Sequence, residues 1–211
     1  FPIVEDALRA FGFTVWPMVE QEADDALAAG AAVAAADERV DRVVICTPDK
    51  DLGQCVGGKV FQYDRRKQLV IDVDGVRAKF GVDPASIPDY LALVGDSADG
   101  YPGLAGWGAK STAAVLDRYG HIDAIPLDGT PWDVAKPLGS AGRLAKVLRE
   151  HLDEALLFRR LATLETSEPV LASVDALEWK GPRPEFLALA ERIDAVGLYE
   201  RAAKLAQKRF G

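Results

Sequence analysis

The stretch Gly95–Gly108, read as Gly-Asp-Ser-Ala-Asp-Gly-Tyr-Pro-Gly-Leu-Ala-Gly-Trp-Gly, constrains this chain more than any other part of it. Glycine and proline at that density suit neither a helix nor a regular strand, so the segment is a tight loop. The runs Ser86–Val94 before it and Lys110–Tyr119 after it carry helical patterning. Glycines 103, 106 and 108 therefore precede a helix N-terminus, where backbone N–H groups can cradle a phosphate, with Lys110 adding charge beside them. The plainer reading is an αα-hairpin turn with no ligand. It is not a Walker A loop, because the G-x-x-x-x-G-K-[ST] spacing is not matched and the preceding element is helical.

Upstream of residue 73 the pattern alternates. Pro2–Phe11 reads as a helix with Ile3, Val4, Ala7, Leu8 and Phe11 on one face, ended by Gly12. Thr14–Met18 reads as a short strand and Glu22–Ala36 as an alanine-rich helix. Arg42–Thr47 is a continuous β-branched run that suits a parallel strand buried on both faces. Lys59–Tyr63 and Gln68–Asp72 suit a hairpin around Asp64-Arg65-Arg66. This order predicts an α/β sheet. Downstream the chain is helical: Asp74–Phe80, the pair around the glycine loop, one long helix over Ala141–Leu164, then Pro184–Val196 and Leu198–Phe210. Residues 127–139 read as irregular, and Ser167–Val174 as an extended return. The expected division is residues 1–72 for the α/β part and 73–211 for the helical part.

Composition narrows the function classes. An apolar fraction of 49% and a charged fraction of 27% exclude global disorder, a collagen-like repeat and a disulfide scaffold. No apolar run reaches membrane-spanning length and no signal segment opens the chain, so no membrane partner is expected. Cys46 and Cys55 suit reduced thiols in a cytoplasmic setting, with Cys46 expected as a core residue rather than a nucleophile. Phe1 stands where a methionine is usual, and the expectation is that the sequence starts part-way through a longer protein. The net charge of −8 argues against nucleic acid until its distribution is considered. Residues 1–100 hold 18 acids and 10 bases, whereas residues 101–211 hold 15 of each. Acids that bind divalent cations would invert that local field.

Three acidic clusters carry the excess. They are Glu22, Asp24 and Asp25 at a helix start, Asp49 and Asp51 just past the Arg42–Thr47 run, and Asp96 and Asp99 in the glycine loop. Each has an ordinary reading: helix-dipole complement, turn cap and loop solvation respectively. Together, each following a structural element, they favour a metal site. Strand carboxyl ends share one ligand-binding edge in a parallel sheet. Seven carboxylates brought close together need cations or protons to coexist. Mg²⁺ and Mn²⁺ prefer such oxygen ligands, and two ions ~4 Å apart form the clamp for in-line phosphodiester hydrolysis.

Val19–Ala28 (VEQEADDALA), Val43–Gln54 (VVICTPDKDLGQ) and Leu93–Gly120 resemble the 5′-nuclease superfamily, with a looser match at Leu177–Pro182. That superfamily comprises bacterial 5′–3′ exonucleases, the N-terminal nuclease domain of DNA polymerase I and flap endonucleases. The resemblance implies a PIN-like (resolvase-like) parallel-sheet α/β nuclease core, here partial, followed by a helical region with a helix–hairpin–helix element at about residues 86–120. It implies a 5′–3′ exonuclease or 5′-flap endonuclease that uses two Mg²⁺ or Mn²⁺ ions. The metal-site acids implied are Glu22, Asp24, Asp25, Asp49, Asp51, Asp96 and Asp99. Gly103, Gly106, Gly108, Lys110 and Ser111 would grip the backbone of a 5′-flap, nicked or 5′-ended DNA duplex, with K⁺ at the hairpin carbonyls and the protein acting as a monomer.

The family's opening strand, with a further metal-binding Asp, and its basic helical arch have no counterpart in these residues. Phe1–Gly12 looks like the helix that follows the arch. A catalytically incomplete duplex-DNA-binding module is therefore the alternative, with truncation favoured because all seven acids are intact. A related single-strand ribonuclease is the third option, and the hairpin argues against it. Further candidate contacts are Arg65, Arg66 and Lys67, and Arg143, Lys146 and Arg149, each of which also reads as a solvated face.

Overall fold

In the computed structural model, which describes residues 2–135 and 138–211, the centre of the sheet is the strand β2, Val60–Asp64. Its inward positions are Val60, Gln62 and Asp64, all buried, and the two polar ones have backbone partners. Asp64 Oδ1 accepts from Arg66 N at 2.9 Å and Lys67 N at 3.2 Å. That Asx geometry turns the chain into β3, Leu69–Ile71, which pairs antiparallel to β2 with Gln62 opposite Ile71. The expected hairpin is therefore present. On the other side β1, Val43–Ile45, runs parallel to β2 with Val43 opposite Val60. The sheet is mixed, in the order β1-β2-β3.

Two strand expectations need correcting. β1 is shorter than Arg42–Thr47 and is not buried on both faces, because among the described residues it pairs with β2 alone, and Val44 is 44% exposed. Cys46, just beyond it, is exposed rather than a core residue. Thr14–Met18 forms no strand. Thr14 Oγ1 donates to the Ala176 carbonyl instead, and the Trp16 ring lies so close to Gly30 that a Cβ there would meet it at 2.5 Å. Gly30 lies in helix α2, Ala23–Ala36, which follows helix α1, Pro2–Phe11. Small residues on α2 let Trp16 and the sheet approach closely: Ala26, Ala28, Ala29, Ala31 and Ala34 are all buried.

The helical part is built around α4, Ile87–Val94, reached through α3, Val73–Phe80. α4 is buried from Ile87 to Leu93. A helix apolar on nearly all sides belongs inside a core. Its one charge, Asp89, is fully satisfied. Asp89 Oδ2 meets His121 Nδ1 at 2.8 Å, and its Oδ1 accepts from Ile122 N at 3.0 Å and Arg159 Nη1 at 3.3 Å. Those bonds tie α4 to the turn after α5, Ala109–Tyr119, and to α7, Leu152–Ala162.

The single helix expected over Ala141–Leu164 is two. α6, Ala141–Glu150, ends at His151, whose φ of −122° and ψ of 28° are non-helical, and α7 starts there. The break lets α6 bury Leu144 and Leu148 while α7 lies along α4. Ser167–Val174 has no strand pairing. The C-terminal helices α8, Phe186–Arg192, and α9, Val196–Phe210, bury Phe186 and Ala202 against Ala10 of α1. Of the segment expected to be irregular, residues 136 and 137 lie outside the described residues, and the rest contains no regular helix or strand.

The glycine loop doubles back on α4. Gly95 and Gly103 face each other so closely that a Cβ on Gly103 would meet Gly95 N at 2.4 Å and Val94 C at 2.5 Å. Gly103 also has φ of +69°, where a side chain is strained. Leu104 N then donates to Leu93 O at 2.9 Å. Gly103→Ala is expected to destabilise the protein by on the order of 3 kcal/mol. The urea midpoint against wild type measures it.

Candidate metal centre

The second acidic motif lies in the turn after β1. Asp49 N donates to Thr47 Oγ1 at 3.2 Å, and Asp51 N donates to Asp49 Oδ1 at 3.1 Å. Short polar side chains favour this local bonding where a strand ends. Gln62, 1% exposed on β2, donates its amide to the carbonyls of Thr47 at 3.0 Å and of Asp49. The third motif is closed by an exchange of backbone bonds between Asp96 and Tyr101, at 2.8 and 3.0 Å. Asp96 Oδ1 also accepts from Ala98 N at 3.0 Å.

These two turns meet. Asp51, Asp96 and Asp99 each offer one carboxylate oxygen within 4.8 Å of the other two. Asp51 is half-buried, Asp96 buried and Asp99 exposed, so the group forms a graded opening to solvent. Asp24, in the first turn of α2, feels Asp49 and Asp99, which brings the first motif to the same place. Glu22 caps α2 and is exposed. Asp25 is differently engaged: its Oδ2 accepts from Glu22 N at 3.1 Å and its Oδ1 from Glu165 N at 2.8 Å.

The titration behaviour follows from that crowding. Burial, then the charges of Asp49, Glu22, Asp25 and Asp99, push the Asp24 carboxyl up to about 6. Burial pushes Asp51 up to about 7, with Asp49 and Asp99 adding to it and Lys50 opposing. Asp99 is raised by burial and then by Asp96. For Asp96, burial works upward, but the hydrogen bonds from Lys50 and Ala98 outweigh it and hold the carboxyl below its ordinary value. The buried Tyr101 phenol is raised by burial, then by Asp51, Asp96 and Asp99, and its hydroxyl has no hydrogen-bond partner.

The donor set fits a hard divalent cation. Asp51 Oδ1 and Asp96 Oδ2 are buried oxygens. Both face the Lys50 ammonium, which lies 3.5 Å from Asp51 Oδ1 and closer still to Asp96 Oδ2. A cation thus already sits against this pair, and oxygen-rich carboxylate sets suit Mg²⁺ or Mn²⁺. Burial and then Asp24 push the Cys55 thiol up to about 11.

The hairpin and its neighbours are placed as follows. Gly103 and Gly106 take positive φ, and Gly108 begins α5 with its N–H on Ser111 Oγ at 3.2 Å. Lys110 is exposed in the first turn. Trp107 is buried against Trp132. Arg143 lies beside Gly106, where a Cβ would meet its Nη2 at 3.6 Å, whereas Arg149 is held on the Leu127 carbonyl at 2.7 Å and Lys146 pairs with Glu150. Arg65, Arg66 and Lys67 are exposed on the β2–β3 turn. Sequence reasoning passed over Lys79. Burial and then Lys67 lower its ammonium, against the pull of Asp49 and Asp64.

Residues 1–81 match the family described as 5′–3′ exonuclease, N-terminal resolvase-like domain, and residues 82–185 match 5′–3′ exonuclease, C-terminal SAM fold. The chain belongs to the 5′–3′ exonuclease family. DNA polymerase I of Pseudomonas aeruginosa is 35% identical to this exonuclease-family chain over 184 residues, covering 86% of it and 20% of the polymerase. Flap endonuclease Xni of Yersinia enterocolitica is 30% identical over 178 residues, covering 83% of this chain and 66% of that one. The chain thus spans about a fifth of the DNA polymerase I relative's length. Its fold is shared with the bacteriophage T5 D15 flap endonuclease, solved as a pseudo-enzyme–product complex with DNA and metal ions. The TM-score is 0.56 and the identity 19%, over 91% of this chain and 62% of that one.

Raised carboxyl values make a stability prediction. Asp24 and Asp51 start from 3.8 and titrate at about 6 and about 7 in the fold. Between those values the native state holds more protons than the unfolded chain, so their contribution is full below 3.8 and is lost as pH rises to about 7. In EDTA, Asp51→Asn should therefore gain stability relative to wild type as pH goes from 4 to 8. Paired melting curves at those two pH values test this, and a constant difference would count against it.

Proposed function

We propose that this chain is the nuclease part of a divalent-metal-dependent 5′–3′ exonuclease and structure-specific 5′-flap endonuclease acting on DNA. The observation that carries the reading is the meeting of Asp51, Asp96 and Asp99 within 4.8 Å, with Asp24 and Asp49 beside them, next to a glycine hairpin opening a helix. A DNA- and metal-bound fold relative and a flap endonuclease relative support it. The proposed ligands are Glu22, Asp24, Asp25, Asp49, Asp51, Asp96 and Asp99, for two Mg²⁺ or Mn²⁺ ions. Bound ions would supply an activated water nucleophile and charge stabilisation for the leaving 3′ oxygen.

The chain's own residues do the rest. Gln62 and the Thr47–Asp49 turn hold the second motif's backbone in place. Tyr101 walls the buried side of the third motif and limits water there. The backbone N–H groups of Gly103 and Gly106, with Lys110 and the Gly108–Ser111 turn, would bind duplex phosphates, and hairpin carbonyls would hold K⁺. Phosphate contacts position a duplex without reading its sequence, which suits recognition of a flap, nick or 5′ end. Lys79, Lys67 and Arg143 add positive charge near the path. The division at residues 72 and 73, a monomeric state and a cytoplasmic setting complete the proposal. No helix among the described residues is long and apolar enough to cross a membrane.

Cleavage of a 5′-labelled flap duplex in Mn²⁺, Mg²⁺ and EDTA, with Asp49→Asn as control, tests the reading. Metal-dependent cutting lost in Asp49→Asn is expected, and metal-independent cutting would overturn it. Duplex binding without cutting would assign the chain to the non-catalytic module instead. In a binding titration over salt, Lys110→Ala should lower affinity evenly across sequences and reduce the salt slope by about 1.

A further inference from the structure

Gln54 stands three residues past Asp51, in the 3₁₀ turn Asp51–Cys55, and all of its side-chain bonds go to backbone. Its Nε2 donates to the Asp51 carbonyl at 2.9 Å and to the Ala162 carbonyl at 2.9 Å. Its Oε1 accepts from Leu164 N at 3.0 Å. One residue on, Glu165 N donates to Asp25 Oδ1 at 2.8 Å. Residues 162–165 therefore form a strap between the second acidic motif and the first turn of α2. The helix before the strap, α7, lies along α4 and stacks Phe158 on Tyr101 with ring centres 5.6 Å apart. Tyr101 in turn holds the backbone of Asp96. One element thus touches all three acidic motifs, although it supplies no carboxylate to the cluster.

The cluster needs such an external brace. Carboxylate oxygens of Asp51, Asp96 and Asp99 lie within 4.8 Å of one another, and like charges so placed do not set their own spacing. A neutral amide is suited to the task. It bonds two carbonyls and one N–H without adding charge, and a glutamate in its place would lose both donors and add another anion. Buried networks with every member satisfied fix one arrangement.

We infer that Gln54 is a positioning residue of the metal centre, which sets the Asp51 motif against the Glu22–Asp25 turn through the 162–165 strap. This rests on the reading of the carboxylate cluster as a metal site. Partners that orient metal ligands from outside typically account for 10- to 100-fold in metal affinity. Because coupling is reciprocal, a bound cation must also tighten the strap.

The test uses the 211-residue chain, with Mn²⁺ alone as the probe, read by electron paramagnetic resonance of free Mn²⁺. Gln54→Met keeps the length and removes all three bonds. It is expected to weaken Mn²⁺ binding about 10-fold, with Gln54→Asn, one methylene short, in between. Duplex binding in EDTA should be unchanged for both. Equal Mn²⁺ affinity in wild type and in a folded Gln54→Met would overturn the brace and leave the metal centre standing. Failure of wild type to bind Mn²⁺ would overturn both. Hydrogen exchange of the wild-type peptide spanning residues 162–166 gives a reading that needs no variant. Slower exchange in Mg²⁺ than in EDTA is expected, and identical exchange would overturn the inference even if Gln54→Met does not fold.

Discussion

Mutual repulsion among the carboxylates of Asp51, Asp96 and Asp99 is the constraint around which the rest is arranged. Three acids whose oxygens lie within 4.8 Å of one another are an unfavourable group in a partly buried site. The fold answers with one internal cation, Lys50, and with raised proton affinity at Asp24, Asp51 and Asp99. Such a site stores a demand for positive charge. The energetic logic resembles that of active sites generally, where local instability is maintained by well-satisfied surroundings.

Those surroundings are mostly backbone-directed. Gln62 holds the carbonyls of Thr47 and Asp49, Gln54 those of Asp51 and Ala162, and Asp96 exchanges bonds with Tyr101. In each case the backbone of an acidic residue or its neighbour is fixed. The same economy explains the glycine loop. Gly95 and Gly103 allow Leu104 to reach back to Leu93, which both closes the Asp96–Asp99 turn and aims the chain into α5. The carboxylate cluster and the hairpin therefore share one loop, and the buried Asp89 with His121 and Arg159 clamps the helices that carry it.

Much of this was legible in the residues. The second and third acidic motifs each follow an element end, the first opens α2, and glycine density marked the loop. The β2–β3 hairpin was visible in its alternation and in Asp64. Other parts were hidden because distant contacts decide them. Thr14–Met18 has strand-forming residues, yet Thr14 is drawn to Ala176 and Trp16 to Gly30, so no ladder forms. Ala141–Leu164 has unbroken helical character, yet packing on α4 requires a break at His151. Arg42–Thr47 looks buried on both faces, yet β1 has β2 as its one strand partner and Val44 is open. Gln62 and the long-range bonds of Gln54 gave no signal, since they join residues distant in the chain. Asp25 was grouped with the ligands by its motif, and its two backbone bonds become visible only with Glu165 in place.

Burial and crowding raise the proton affinity of Asp24 and Asp51, and a divalent cation bound there would have to displace those protons. Calorimetric titration with Mg²⁺ at pH 6.5, repeated in buffers of different ionisation enthalpy, counts the protons released per ion bound. Asp51 at about 7 and Asp24 at about 6 are partly protonated there, so Mg²⁺ uptake should expel protons, and fewer from Asp51→Asn. Mg²⁺ binding with no proton release, or with the same release from Asp51→Asn as from wild type, would contradict the account.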